Sequence, residues 1–320
     1  MDVICIGEAL IDFFAVKSGV SFQDVPGFKR IAGGAPANVA VGCSKLGKKT
    51  AFIGRVGNDY FGLYLRDILS RNGVNVDMMQ FDSRARTGLA FIALPTPTSR
   101  EFLFYRNPGA DMLLDAAQFD RNFIKDTIVF HFGSITLISE PGKSSTYEAV
   151  KIAKSGGALI SLDPNLRIDL WPDAATAKRN ILEAVPLADF IKLNDEELLF
   201  LTSEDDLKKG TKRLLDMGPA FCIVTLGSRG SYFATEKFNG RIPVFDVRTV
   251  DTTGCGDSFV AGLLAFFVEK GFNDSIKNRQ EIIEIVRIAT AAASITSMKK
   301  GVIPALPSLA EVMDFLKGRV

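Results

Sequence analysis

Short apolar runs rich in β-branched residues alternate with helical patterns along most of this chain, and that alternation leaves few folds open. Val3–Ile6, Thr50–Ile53, Ile128–Phe132, Ala158–Leu162, Phe190–Leu193 and Phe221–Leu226 read as strands. Ala35–Leu46, Phe61–Arg71, Lys143–Lys154 and Leu207–Met217 read as helices between them. The strand runs stay apolar from one residue to the next, as expected when a parallel sheet is covered on both faces. The pattern predicts an α/β fold with a doubly wound, mostly parallel sheet flanked by helices. The C-terminal third reads as helical, with Ser258–Glu269, Gln280–Met298 and Ser308–Leu316.

A chain of 320 residues exceeds the size at which a single core usually stops growing, so one large domain with a small accessory part is expected. Two stretches break the α/β pattern. Phe13 to Ile31 is loop-like, with Gly19, Pro26 and Gly27. Thr87 to Arg106 reads as a hairpin of Leu89–Leu94 and Glu101–Tyr105, joined by Pro95-Thr96-Pro97-Thr98-Ser99. Together they predict a discontinuous β lid, at about 13–31 and 87–106, within a core spanning 1–320.

Composition excludes several partner classes. A net charge of +1 lacks the basic surplus that nucleic acid or an anionic membrane would require. Four cysteines without C-x-x-C spacing and a single histidine, His131, argue against zinc and for a reducing compartment. His131 reads as a core residue. The longest apolar run, Phe259 to Val268, is about half of what a bilayer requires. The first residues carry acidic groups and no basic leader pattern, so the expected location is the cytoplasm.

The chemistry concentrates in Asp251-Thr252-Thr253-Gly254-Cys255-Gly256-Asp257, directly before a helix. Glycines there let bare backbone approach a ligand, and the helix start offers free N–H groups and a positive dipole end to an anion. Asp257 lies in the first turn. It suits a helix cap, but that alternative leaves Gly254 and Gly256 unexplained. Facing a bound phosphoryl group, it would accept a proton from a hydroxyl as the new bond to phosphorus forms.

A second glycine turn, Gly33-Gly34-Ala35-Pro36-Ala37-Asn38, opens another helix, with Pro36 well placed near its start. Asn38, one turn in, both donates and accepts, as a polyol demands. The alternative is a simple loop-to-helix turn. Asp12 follows the first strand, where α/β sheets bind ligands, and its alternative is a solvated loop acid. Gly42-Cys43-Ser44-Lys45-Leu46-Gly47-Lys48-Lys49 nearly matches a P-loop. It lacks the final Ser or Thr and begins inside a helix, so Gly47 reads as a helix end instead. Asn194-Asp195-Glu196-Glu197 suits a capping box, or oxygen ligands that organise magnesium through water. Thr225-Leu226-Gly227-Ser228-Arg229-Gly230 ends a strand and suits nucleotide contact.

Taken together, these motifs resemble the ribokinase-like, phosphofructokinase-B family of carbohydrate kinases over essentially the whole chain. Gly33-Gly34-Ala35-Pro36-Ala37-Asn38 is similar to its N-terminal signature, and Asp251 to Asp257 to its C-terminal one, with Cys255 where the family usually has Ala. The resemblance implies Asp257 as catalytic base and an anion hole of Gly254, Cys255 and Gly256. It implies Asp12, Gly33, Gly34 and Asn38 around the sugar, with Arg106 reaching in from the lid base and Arg167 near the phosphoryl path. Either arginine would otherwise be a surface ion pair. Lys192, Asn194, Thr225 and Gly227 match nucleotide positions, and Asn194 and Glu197 match an element acting on magnesium. Asp251 and Thr253, with the carbonyls of Thr296, Lys299 and Gly301, resemble a monovalent-cation site, usually taken by potassium. ATP, Mg2+ and K+ are thus the implied cofactors, and a homodimer through the lid the implied assembly. Ile6 to Phe13, Tyr105 to Asp111 and Asp163-Pro164-Asn165-Leu166-Arg167 point within the family to fructokinases. The alternatives are a ketodeoxygluconate kinase, a ribokinase, a nucleoside kinase or a non-enzymatic sugar-binding relative.

Overall fold

The computed structural model describes residues 1–96 and 101–319. In chain order the elements begin with β1 (Val3–Ile6), β2 (Leu10–Ala15), β3 (Phe28–Gly33), α1 (Ala35–Lys45), β4 (Thr50–Gly57) and α2 (Tyr60–Arg71). There follow β5 (Val74–Asn75), β6 (Met79–Asp82), β7 (Leu89–Ala93), β8 (Glu101–Tyr105), α3 (Arg121–Lys125), β9 (Val129–Phe132), α4 (Gly142–Ser155) and β10 (Leu159–Leu162). The next are α5 (Ala174–Ala184), β11 (Phe190–Asn194), α6 (Asp195–Thr202), α7 (Leu207–Leu215), β12 (Phe221–Thr225), β13 (Ser231–Thr235) and β14 (Asn239–Ile242). Four helices end the chain: α8 (Cys255–Lys270), α9 (Phe272–Ser275), α10 (Arg279–Ser297) and α11 (Leu309–Leu316).

The main sheet runs β14-β13-β12-β11-β10-β9-β1-β4-β5, with β6 also on β4. From β12 to β6 all pairings are parallel, and β13 and β14 add an antiparallel edge. Its middle strands are buried at every position, which explains their unbroken apolar runs. The chain leaves β1 first to one side, into β4, and later returns on the other, into β9. That reversal opens a crevice beyond the carboxyl ends of β1 and β9. Two apolar layers cover the sheet: one built on α1, α8 and α10, the other on α4, α5 and α7.

His131 sits on central β9, hydrogen-bonded to Ser161 Oγ at 2.9 Å. Burial pushes its pKa down to about 4, so the imidazole is neutral and belongs to the core, as expected.

A second, smaller sheet runs β3-β2-β7-β8. Phe13 to Ile31, expected to be loop-like, is irregular only between Val16 and Gly27; its ends are strands, with β2 and β3 paired antiparallel from Leu10–Gly33 to Ala15–Phe28. Gly19, Pro26 and Gly27 mark only the connection, and the flanking apolar residues are the strands. This sheet thus reaches past the limits expected for a lid at both ends of the arm. β7 and β8 form the expected hairpin, and the part of its turn at Pro97-Thr98-Ser99 lies outside the described residues. Strands β13 and β14 carried no sequence signal that was read.

Helices α1, α8 and α10 approach unusually closely. A Cβ on Gly42 would stand 2.6 Å from Ala261 Cβ, and one on Gly262 would stand 2.7 Å from Ala289 Cα. The second obstacle is backbone and cannot rotate away. Gly262→Val is expected to lower stability by about 2 kcal/mol, seen as a lower urea midpoint with unchanged slope.

Candidate active site

The two glycine motifs meet. Helix α8 starts at Gly254, whose φ of +79° favours glycine, and a Cβ there would stand 2.5 Å from Val302 Cγ1. Asp257 is the third residue of this helix and is buried. Helix α1 starts at Gly34, φ +109°, packed so tightly that a Cβ would overlap the Glu8 carbonyl. One turn in, Asn38 Nδ2 donates to Asp257 Oδ2 at 2.8 Å, across 219 residues of sequence. Its amide thus reaches the other motif and not its own glycine turn. Its Oδ1 is buried and, among the described residues, has no hydrogen-bond partner.

The helix start of α8 is open. Among the described residues, the amides of Gly254, Gly256 and Asp257 donate to no acceptor. The Cys255 amide differs from expectation, because it makes a long 3.3 Å bond to the Thr252 carbonyl. A turn with left-handed Gly254 in its third position folds that amide back, so the anion-accepting donors are its neighbours on both sides.

Asp12 lies on β2 opposite Ile31. Gly33 is required here because a Cβ would overlap the Asp12 carboxylate. Burial pushes Asp12 up to about 7, with the Arg167 charge opposing and the Asp257 charge assisting. Asp257 is pushed up to about 6, again chiefly by burial. Its bond from Asn38 opposes the shift, Asp163 adds to it, and Lys192 and Arg167 oppose it. Arg167 is exposed and donates to the Leu166 carbonyl, so its charge faces these acids from the rim. Arg106, by contrast, is buried and held by Asp111, with Nε to Oδ2 at 2.5 Å.

The nucleotide-side positions gather at the ends of β11 and β12, where Asn194 pairs in register with Thr225 and Gly227 turns the chain at φ +58°. Lys192 Nζ donates to Asp163 Oδ2 at 2.8 Å, with both residues buried. A Cβ on Gly256 would stand 3.3 Å from that ammonium, so Gly256 lets Lys192 reach the amide cradle. Burial favours a neutral Lys192, but Asp163, Glu197 and Asp257 more than reverse this and hold it charged. Asp163 was not singled out as a site residue, although it directly follows β10, whereas Asp12, expected just after the first strand, lies within β2 of the second sheet. Position beyond a strand end was the available signal.

Asn194 and Glu197 form the expected capping box, and Glu197 Oε1 also accepts from Leu166 N at 2.7 Å. Both Glu197 oxygens thus hold backbone amides. Among the described residues, no three His, Cys, Asp or Glu side chains cluster as a metal cage. That donor set fits a magnesium ion that arrives with nucleotide phosphates and is met through water.

Asp251 Oδ1 accepts from the amide and hydroxyl of Thr253, and Oδ2 accepts from Gly301 N at 3.2 Å. The Thr296 carbonyl accepts from Lys299 N, and the Lys299 side chain pairs with Glu311. The expected monovalent-cation residues therefore share one corner, where carboxylate and carbonyl oxygens suit a hard cation. A cavity of about 1020 Å³ runs beside it, along strand β3 of the second sheet, lined by Lys29, Ile31, Tyr64, Thr252 and Lys300. It does not include Asp257.

Known proteins place this geometry. Residues 1–309 match the model of the pfkB family of carbohydrate kinases. A protein of Arabidopsis thaliana named probable fructokinase-4 is 46% identical over 99% of this chain and 97% of its own length. The crystal structure of fructokinase with bound ATP from Xylella fastidiosa superposes with a TM-score of 0.92 at 32% identity, covering 99% of this chain and 98% of that one. A Vibrio cholerae O395 fructokinase double mutant, solved with fructose, ADP and potassium ion, gives 0.87 at 32% identity, covering 98% of each chain. With both signature motifs converging on one acid and one amide cradle, and with likeness along its full length, the chain belongs to the pfkB family of carbohydrate kinases.

Proposed function

We propose that this protein is an ATP-dependent fructokinase, converting ATP and D-fructose to ADP and fructose 6-phosphate. The observation that carries this reading is Asp257, a buried acid at the head of α8 beside three open amides. The acceptor hydroxyl oxygen attacks the γ-phosphorus, and the bond from that phosphorus to the bridging oxygen of ADP breaks. The hydroxyl proton passes to Asp257. Asn38 occupies Oδ2, so Oδ1 is the oxygen that takes it. Gly254, Gly256 and Asp257 amides, with Lys192, hold charge on the transferring group. Asp12 and Asn38 Oδ1 accept sugar hydroxyls, with Gly33 and Gly34 bringing backbone close. Arg167 adds positive charge at the rim. Arg106, fixed by Asp111, bounds the sugar from the lid base.

Lys192, Asn194, Thr225 and Gly227 face the nucleotide. Magnesium, met through water at Asn194 and Glu197, would neutralise phosphate charge, and potassium would sit at Asp251, Thr253, Thr296, Lys299 and Gly301. The lid, about residues 13–31 and 87–106 of a 1–320 core, covers the sugar. We assign the protein to the cytoplasm as a homodimer joined through the lid, without nucleic-acid or membrane partners. Among the described residues, no helix is long and apolar enough to cross a membrane. Leu103 and Tyr105 lie on one lid face at 42% and 62% exposure, the apolar surface such a dimer would cover.

A coupled ADP-release assay over fructose, ribose, ketodeoxygluconate and adenosine should show clear preference for fructose. Preference for another acceptor removes the fructose assignment, and turnover of none would favour a sugar-binding relative. Asp257→Ala should lower kcat by about two orders of magnitude or more. For the wild type, kcat/KM should fall as pH decreases, because protonation removes the base. The limb belongs to the interacting pair Asp257 and Asp12, at about 6 and about 7. Potassium-free buffer should lower activity relative to potassium-containing buffer.

A further inference from the structure

The two glycine-started helices that frame the site are alike in sequence logic and unlike at their ends. Helix α8 has no side-chain cap, and its open amides await an anion. Helix α1 also lacks a cap from its own N-cap residue, which is Gly34, and it has no acid in its first turn. Its first amide is nevertheless taken, and among the described residues only the Gly34 and Ala37 amides at this end donate to no acceptor. Ala35 N donates to Glu8 Oε1 at 2.9 Å, Pro36 has no N–H, and Asn38 N already donates to the Gly34 carbonyl. A carboxylate from β1's end, twenty-seven residues away, therefore occupies the positive end of α1.

Glu8 is 2% exposed and sits at the junction of three parts of the site. Its carbonyl is the surface against which Gly34 packs. Its carboxyl group, which burial pushes up to about 7, feels Arg106 at the lid base and Asp111 beside it. Through α1 it sets the position of Asn38, and so of the base.

We propose that Glu8 is a positioning residue of the acceptor half of the site: it locks the Gly33–Gly34 turn and sets a carboxyl group on the first amide of α1, while the α8 end keeps its place for phosphoryl charge. The proposal rests on the kinase reading above, but not on fructose, because the test uses whichever neutral acceptor the sugar panel identifies.

Steady-state KM values for acceptor and for ATP would be compared in wild type, Glu8→Ala, Glu8→Asp and Glu8→Gln, alongside thermal midpoints. Glu8→Ala should raise acceptor KM about tenfold while ATP KM stays within about twofold. Glu8→Gln keeps an oxygen for Ala35 N–H and should recover most of the acceptor affinity. Glu8→Asp keeps the charge but not the reach and should recover less. If Glu8→Ala does not fold, the ordering of the other two carries the test. Equal rises in both KM values, unchanged acceptor KM with only a lower midpoint, or Asp recovering more than Gln would overturn the proposal.

Discussion

The bond from Asn38 to Asp257 is the joint on which the site depends. It ties the start of α1 to the start of α8, and so ties the acceptor turn to the base. A buried amide-to-carboxylate bond is a charge-assisted one, and leaving either partner alone in this setting would be costly. It also decides which carboxylate oxygen is free. Without it, Asp257 would be a buried acid with two equivalent oxygens and no fixed direction.

Around that joint the site is an electrostatic balance. Asp257 raises the proton affinity of Asp12, and Asp163 raises that of Asp257, while Arg167 counters both and Lys192 counters the second. The two cations act differently. Lys192 is buried and pinned by Asp163, a fixed charge beside the amide cradle. Arg167 stands at the rim with its charge turned inward. Phosphoryl transfer calls for this combination, because charge must be met where it develops without rearrangement.

Much of this was legible in the sequence. The parallel core followed from apolar runs that do not alternate, and both helix starts followed from paired glycines. What escaped has physical reasons. The first lid arm looked irregular because its turn residues, Gly19, Pro26 and Gly27, are easier to read than a short strand whose burial is only partial. Asp163 and Glu8 lie in stretches that carried only a family resemblance, and their own roles come from lying beyond strand ends that only the sheet order brings together. The inward turn of the Cys255 amide comes from a Thr252–Cys255 turn with left-handed Gly254 in its third position, a glycine that had been read only for close ligand approach.

The close approach of α1, α8 and α10 has a mechanical consequence. Gly42 and Gly262 set the gaps between these helices by contact with neighbouring atoms that have no freedom to swing aside. Spacing between the acid and its amide partner is therefore gauged by main-chain thickness rather than by side-chain rotamers. The three helices behave as a single anvil, and any adjustment to a bound sugar falls to the sheet above it.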